Sequence, residues 1–247
     1  MPEKGTNFFK LTKTKVAVIT AILSLAVAFS TKDYIWGKFH WNTLEHAFPN
    51  FEVLELKRTV DLTQWTPAIS KNPDDLSGKA TFTDWYTVRK IRDEGNEFCI
   101  IATSSGSDPK FTSQTHPITQ KSLALKFQWW GIIKNQELAV LDVSKEATNK
   151  PFKANFQSVR YGGFADTLVN WCSTGIFQPT QKLIFSVNFP KNKMGRRFKF
   201  SASFFYNRDN FKVIDDSSLH YKLDSTSLTW TVDNPIIGNA YRIDWDW

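Results

Sequence analysis

After Pro49, apolar and polar positions alternate with a period of two, the pattern of strands that present one face to a core. Phe51 and Val53, then Val60 and Leu62 out of simple phase with them, predict a first strand containing a bulge. The stretch from Lys79 to Arg92 is rich in Thr, Trp, Tyr and Val, residues that suit a pleated, half-buried surface. Phe98, Ile100 and Ala102 alternate, as do Leu123, Leu125, Phe127 and Trp129. Leu183–Phe189 and Phe198–Phe204 alternate on either side of a turn and predict an antiparallel hairpin with a long basic loop. Leu228, Trp230 and Val232 follow, then Tyr241, Ile243, Trp245 and Trp247. Turn chemistry separates these runs, as at Asn72-Pro73-Asp74-Asp75 and Asp233-Asn234-Pro235. Many short strands so spaced predict a mainly β domain over 51–247, an antiparallel β-sandwich of Ig-like or jelly-roll-like type.

One segment breaks the pattern. Val16 to Ser30 reads VAVITAILSLAVAFS, with no charge and only small hydroxyls among its polar positions. Fifteen residues fall short of the roughly 20 that cross about 30 Å of hydrocarbon. Thr31, Tyr34, Ile35 and Trp36 extend the run, with Lys32 reaching back to the headgroups. We therefore expect a basic cytoplasmic segment over 1–15, a transmembrane anchor over 16–36 and a short helical stalk over 37–50 that stops near Pro49. Tyr34, Trp36 and Trp41 would form an interfacial aromatic belt, with Lys13 and Lys15 on the opposite flank. Lys4, Lys10, Lys13 and Lys15 precede the segment and Lys32 and Lys38 follow it, so the positive-inside rule keeps the N-terminus cytoplasmic and exports the β domain. A cleaved leader ending near Ala26-Val27-Ala28 is the rival reading; the aromatic belt favours an anchor that stays.

Composition changes this picture little. The 21 Phe, 10 Trp and 6 Tyr reinforce a strand-rich reading, and the net charge of +7 is drawn partly from the membrane-proximal lysines. No basic-aromatic recognition motif accompanies that charge, so nothing favours nucleic acid as a partner. With two cysteines, Cys99 and Cys172, the chain has at most one disulfide, and two buried thiols are the simpler expectation.

Catalytic signatures are sparse. His40, His46, His116 and His220 are scattered, without the spacing of metal ligands, so no metal or cofactor is expected. The 11 glycines include no phosphate-cradling loop, and Gly162-Gly163 reads as a bulge or turn. No Gly-X-Ser-X-Gly elbow is present, and Cys172 after Trp171 reads as a structural thiol. Asp84 beside Trp85, and Asp244 and Asp246 among Tyr241, Trp245 and Trp247, have residue types used in glycoside chemistry. Alternation puts the last two opposite the aromatics, on an ordinary solvated face.

Binding features are better represented. Adjacent Trp129 and Trp130 must point to opposite sides of a strand, so one of them faces outwards. Lys191, Lys193, Arg196, Arg197 and Lys199 form the densest basic cluster beyond the N-terminus, and Lys193, Arg196 and Arg197 are candidates for anion or partner contacts. The expected function is a membrane-anchored, non-catalytic module that recognises a partner protein or ligand. Two alternatives are a carbohydrate-binding or carbohydrate-active domain using exposed Trp, and a structural subunit of a membrane assembly. The expected partners are the lipid bilayer and a second protein or another copy of the chain.

Overall fold

The computed structural model describes residues 50–66, 78–103, 110–123, 136–164, 170–204, 212–214 and 219–247. The chain separates into two compact units, Met1–Leu44 and Glu45–Trp247, and every described residue belongs to the second. The expected basic segment and anchor, and the stalk up to Pro49, lie outside the described residues. Among the described residues no helix is long and apolar enough to cross a membrane.

The described unit is mainly β. Its strands are β1 (Phe51–Asp61), β2 (Ala80–Lys90), β3 (Glu97–Thr103), β4 (Lys110–Thr112), β5 (Ile118–Leu123), β6 (Gln136–Asp142), β7 (Pro151–Arg160), β8 (Asn170–Gly175), β9 (Lys182–Asn188), β10 (Arg196–Phe204), β11 (Lys212–Val213), β12 (His220–Leu223), β13 (Ser227–Asp233) and β14 (Asn239–Asp246). They form a seven-stranded sheet ordered β12-β13-β9-β1-β2-β7-β4, a four-stranded sheet ordered β11-β10-β14-β8 and a three-stranded sheet ordered β3-β6-β5.

The predicted bulge in the first strand is present as a register shift between Val53 and Glu55. It keeps Phe51, Val53, Leu56 and Val60 buried on one face although their spacing is not strictly even. The large sheet is mixed where an antiparallel one was expected, because β1 runs parallel to β9 and antiparallel to β2. A parallel neighbour needs a long crossover, and more than a hundred residues separate these two strands.

Both smaller sheets pack against the apolar face of the large one. Phe98 of β3 meets Phe51 and Tyr86 with ring centroids 5.4 and 5.2 Å apart. From the four-stranded sheet, Tyr241 and Phe200 meet Trp230 at 5.7 and 5.1 Å. Full burial of each such aromatic is worth about 1.5–3 kcal/mol, and rings in these edge-to-face arrangements add to that.

The expected hairpin between Leu183–Phe189 and Phe198–Phe204 does not form. β9 lies between β1 and β13, whereas β10 lies between β11 and β14 in the other sheet. The connection over 189–195 carries the chain from one sheet to the other, with Lys191 and Asn192 exposed on the way, and Phe189 meets Phe198 at 5.8 Å. Alternation fixes which face of a strand is apolar; it does not fix whether the next strand lies beside that face or opposite it. Gly195 permits the crossing, since a Cβ there would stand 2.8 Å from the Phe189 ring. A second close approach occurs at Gly78, with φ +65°, where a Cβ would stand 2.8 Å from the carbonyl oxygen of Gly163.

Candidate functional site

The most polar part of the interior lies where the two larger sheets face each other. Arg58 on β1 and Asp84 on β2 are register partners, in phase with Leu56 and Val60 and therefore turned inwards. Their side chains are 16% and 4% exposed. Arg58 donates from Nε to Asp84 Oδ1 at 2.6 Å and from Nη2 to Oδ2 at 2.5 Å. Its Nη1 donates across the layers to the carbonyl of Ser173 on β8 at 2.9 Å. Burial alone would push the guanidinium towards neutrality, but the adjacent carboxylate outweighs it and holds the Arg58 pKa above its ordinary value. Burial first, and Asp84 second, raise the Tyr86 phenol. Burial, with the nearby Arg58 charge adding to it, pulls Arg160 down to about 10. Both Asp84 oxygens accept from Arg58, and the pair sets the field felt by Tyr86 and Arg160.

The other carboxylates weighed for chemistry are likewise engaged. Arg242 binds Asp244, and Arg197 binds Asp246 at 2.6 Å. Trp85 points away from Asp84, onto the outer face of the large sheet. The two exposed tryptophans among the described residues, Trp85 and Trp171, belong to different sheets, and the Arg242 guanidinium lies 4.7 Å from the Trp171 ring. They do not share a groove. Trp129 and Trp130, and the interfacial Tyr34, Trp36, Trp41, Lys13 and Lys15, lie outside the described residues. No group of three metal-ligating side chains occurs among the described residues.

No disulfide joins Cys99 and Cys172, which sit on β3 and β8 in different sheets. Cys172 is buried, and burial pushes its thiol pKa well above the ordinary range. Because the thiolate is the nucleophile, Cys172 should stay inert. In a Cys99→Ala background, the native protein should release no chromophore from a disulfide thiol reagent at pH 8 until denaturant is added. Prompt release from the folded protein would contradict this.

The basic loop is folded back more than its sequence suggests. Lys193 Nζ lies 4.4 Å from the centroid of Trp65 and 4.7 Å from that of Trp247, two indoles stacked on each other at 4.8 Å. Arg197 has φ +48° and an 82% exposed side chain tied to Asp246. Arg196 is exposed.

The open concavity is elsewhere, at β12. A cleft of about 570 Å³ is lined by Leu219, His220, Tyr221, Lys222, Asp224, Thr229 and Thr231. All four β12 residues are exposed, Tyr221 and Leu223 each at 50%. Among the described residues β12 is one edge of the seven-stranded sheet, and β4 is the other. The Asp224 amide donates to the Ser227 carbonyl at 2.8 Å and sets the hydrogen-bonding phase with β13. Alternation along the pair then assigns Lys222 and His220 to hydrogen-bonded positions and turns the backbone N–H and C=O of Tyr221 and Leu223 outwards. The Tyr221 ring is held by Phe200 of the four-stranded sheet, with centroids 5.0 Å apart. Sequence reading missed this site because β12 has only four residues and no sustained alternation. The pairing of Tyr221 and Leu223 around Lys222 is the signal that was available.

No family model matches the chain, and neither does any curated protein. Among the solved structures to which it is similar in part are two enzymes by description. One is a putative protease from Parabacteroides distasonis, with 7% identity over 81% of this chain and 41% of that one and a TM-score of 0.47. The other is yeast LTA4 hydrolase in complex with bestatin, with 10% identity over 79% and 29% and a TM-score of 0.42. The chain spans less than half the length of either, and likeness at this level transfers no activity.

Proposed function

We propose that this protein is a non-catalytic recognition module: a β-sandwich held at a membrane by its N-terminal segment, with the β domain exported, that binds a partner protein along the β12 edge. The observation that carries this reading is the coincidence at one strand of outward backbone groups, half-exposed apolar side chains and an open cleft. Among the described residues nothing pairs with this edge, and its apolar side chains and outward backbone groups suit an added strand. The inner polar cluster supports the non-catalytic part, since its carboxylate and guanidinium satisfy each other. Face-to-face packing of the two larger sheets supports the sandwich.

The test is site-specific photocrosslinking in the full-length protein in its own cell. A benzophenone amino acid at position 221 or 223 should give a discrete crosslinked partner, and the same probe at position 171, on the other sheet, should not. Equal crosslinking from position 171 would overturn the reading. So would turnover of a defined substrate that one carboxylate or cysteine substitution abolishes.

A further inference from the structure

We infer that the partner element taken by the β12 edge is an extended strand in which acidic and apolar side chains alternate. This inference rests on the partner-recognition reading above and specifies its chemistry. An added strand would hydrogen-bond to the outward backbone groups of Tyr221 and Leu223. Its residues opposite those two would share their face, the one that looks towards Phe200 and the interior, and so must be apolar. Phe200, the residue that Tyr221 meets, is flanked on its own sheet by half-buried Ile214, whose amide donates to the Phe200 carbonyl at 3.0 Å. The residues between them would face His220 and Lys222 on the other side, where Thr229 and Thr231 of β13 offer hydroxyls. Lys222, 78% exposed, pairs with half-exposed Asp224 at 3.2 Å; so open an ion pair holds weakly, and an incoming carboxylate can exchange with it or share the lysine.

The same charges argue against a second copy as occupant. Two β12 strands related by a two-fold axis must run antiparallel with outward residues matched to outward residues. Two such registers overlap three of the four residues. One sets Tyr221 against its own copy and Lys222 against His220. The other sets Tyr221 against Leu223 and Lys222 against its own copy. Neither sets a carboxylate opposite Lys222, and the second sets like charges directly opposite, which is destabilising. The register that brings Asp224 opposite Lys222 matches only Leu223 with its own copy within β12, too short an overlap to hold two chains together. A lysine at an edge is a known obstacle to self-pairing, and an acidic partner strand turns it into a contact.

The probe is a fluorescein-labelled peptide of alternating Glu and Val, titrated by anisotropy with the full-length protein in detergent. Controls are the Lys–Val counterpart and a Glu–Val peptide N-methylated at alternate residues. The Glu–Val peptide should bind. The Lys–Val and N-methylated peptides should not, and Lys222→Glu should weaken binding roughly tenfold while raising affinity for Lys–Val. Equal binding of both peptides, indifference to Lys222→Glu, or a chain that instead dimerises through this edge would overturn the inference. If photocrosslinks form from position 221 but no acidic strand binds, the inference fails and the recognition reading stands. If neither is seen, both fail.

Discussion

Replacing Arg58 with methionine is expected to destabilise the domain by about 3–5 kcal/mol, because it leaves the Asp84 carboxylate buried without its cation. For a domain of this size that loss lowers the melting temperature by roughly 10 °C. The double variant Arg58→Met, Asp84→Leu should recover most of it, since a buried ion pair replaced by apolar groups of similar volume is often neutral. A residue of about 1 kcal/mol should persist in the double variant, because the Ser173 carbonyl loses its donor from Arg58. Thermal melts of the four proteins in one cycle give the coupling directly. A single Arg58→Met variant within about 1 kcal/mol of the parent would mean that water reaches Asp84 and that the inter-sheet contact contributes little. Tyr86, on the same face, adds a pH dependence. Its pKa is raised in the folded state, as is that of Cys172, so the unfolded chain loses both protons first; stability should fall as pH rises above about 9, and the lowered Arg160 offsets part of that fall above about 10.

This pair also marks where the sequence was readable. Strands β1, β3, β9, β10, β13 and β14 follow from alternation, β2 from its richness in Thr, Trp, Tyr and Val, and the bulge in β1 from its broken phase. Arg58 and Asp84 were legible in principle as opposite charges in phase with apolar neighbours on two adjacent strands. Asp84 instead drew attention through Trp85, which faces the other way.

The strands that escaped have physical reasons for escaping. In β8 the pattern is inverted: Asn170, Cys172 and Thr174 are buried while Trp171 is exposed. In β6, Ala139, Val140 and Leu141 are buried consecutively, so both faces of the strand are covered there and no alternation shows. In β7 the inward set includes Ala154 and Ser158 between Phe152, Phe156 and Arg160, and buried Asn155 interrupts the alternation. Pairing was beyond reach for a different reason. β14 follows β13 directly along the chain, yet it lies between β10 and β8 in a different sheet. Which strands neighbour one another depends on the whole topology, and no single segment encodes it.

That inner position of β14 makes Trp245 the second sensitive point. It is fully buried, stacked on Phe164 at 5.4 Å and set edge-on to Phe189 at 5.7 Å. Trp245→Ala removes the largest side chain of this strand from a closed environment and should cost about 3–5 kcal/mol. Trp245→Phe should be far milder than its lost volume suggests. The indole N–H is buried and finds no acceptor among the described residues. Burying a donor without a partner costs about 1–3 kcal/mol, and phenylalanine removes that donor while keeping ring contacts worth about 0.5–1.5 kcal/mol each. The gain and the smaller cavity nearly offset, so Trp245→Phe should fall within about 1–2 kcal/mol of the parent in urea unfolding. A phenylalanine variant as unstable as the alanine variant would show that the indole nitrogen is held by a bond of its own, and that the packing around β14 is set by polarity as well as by shape.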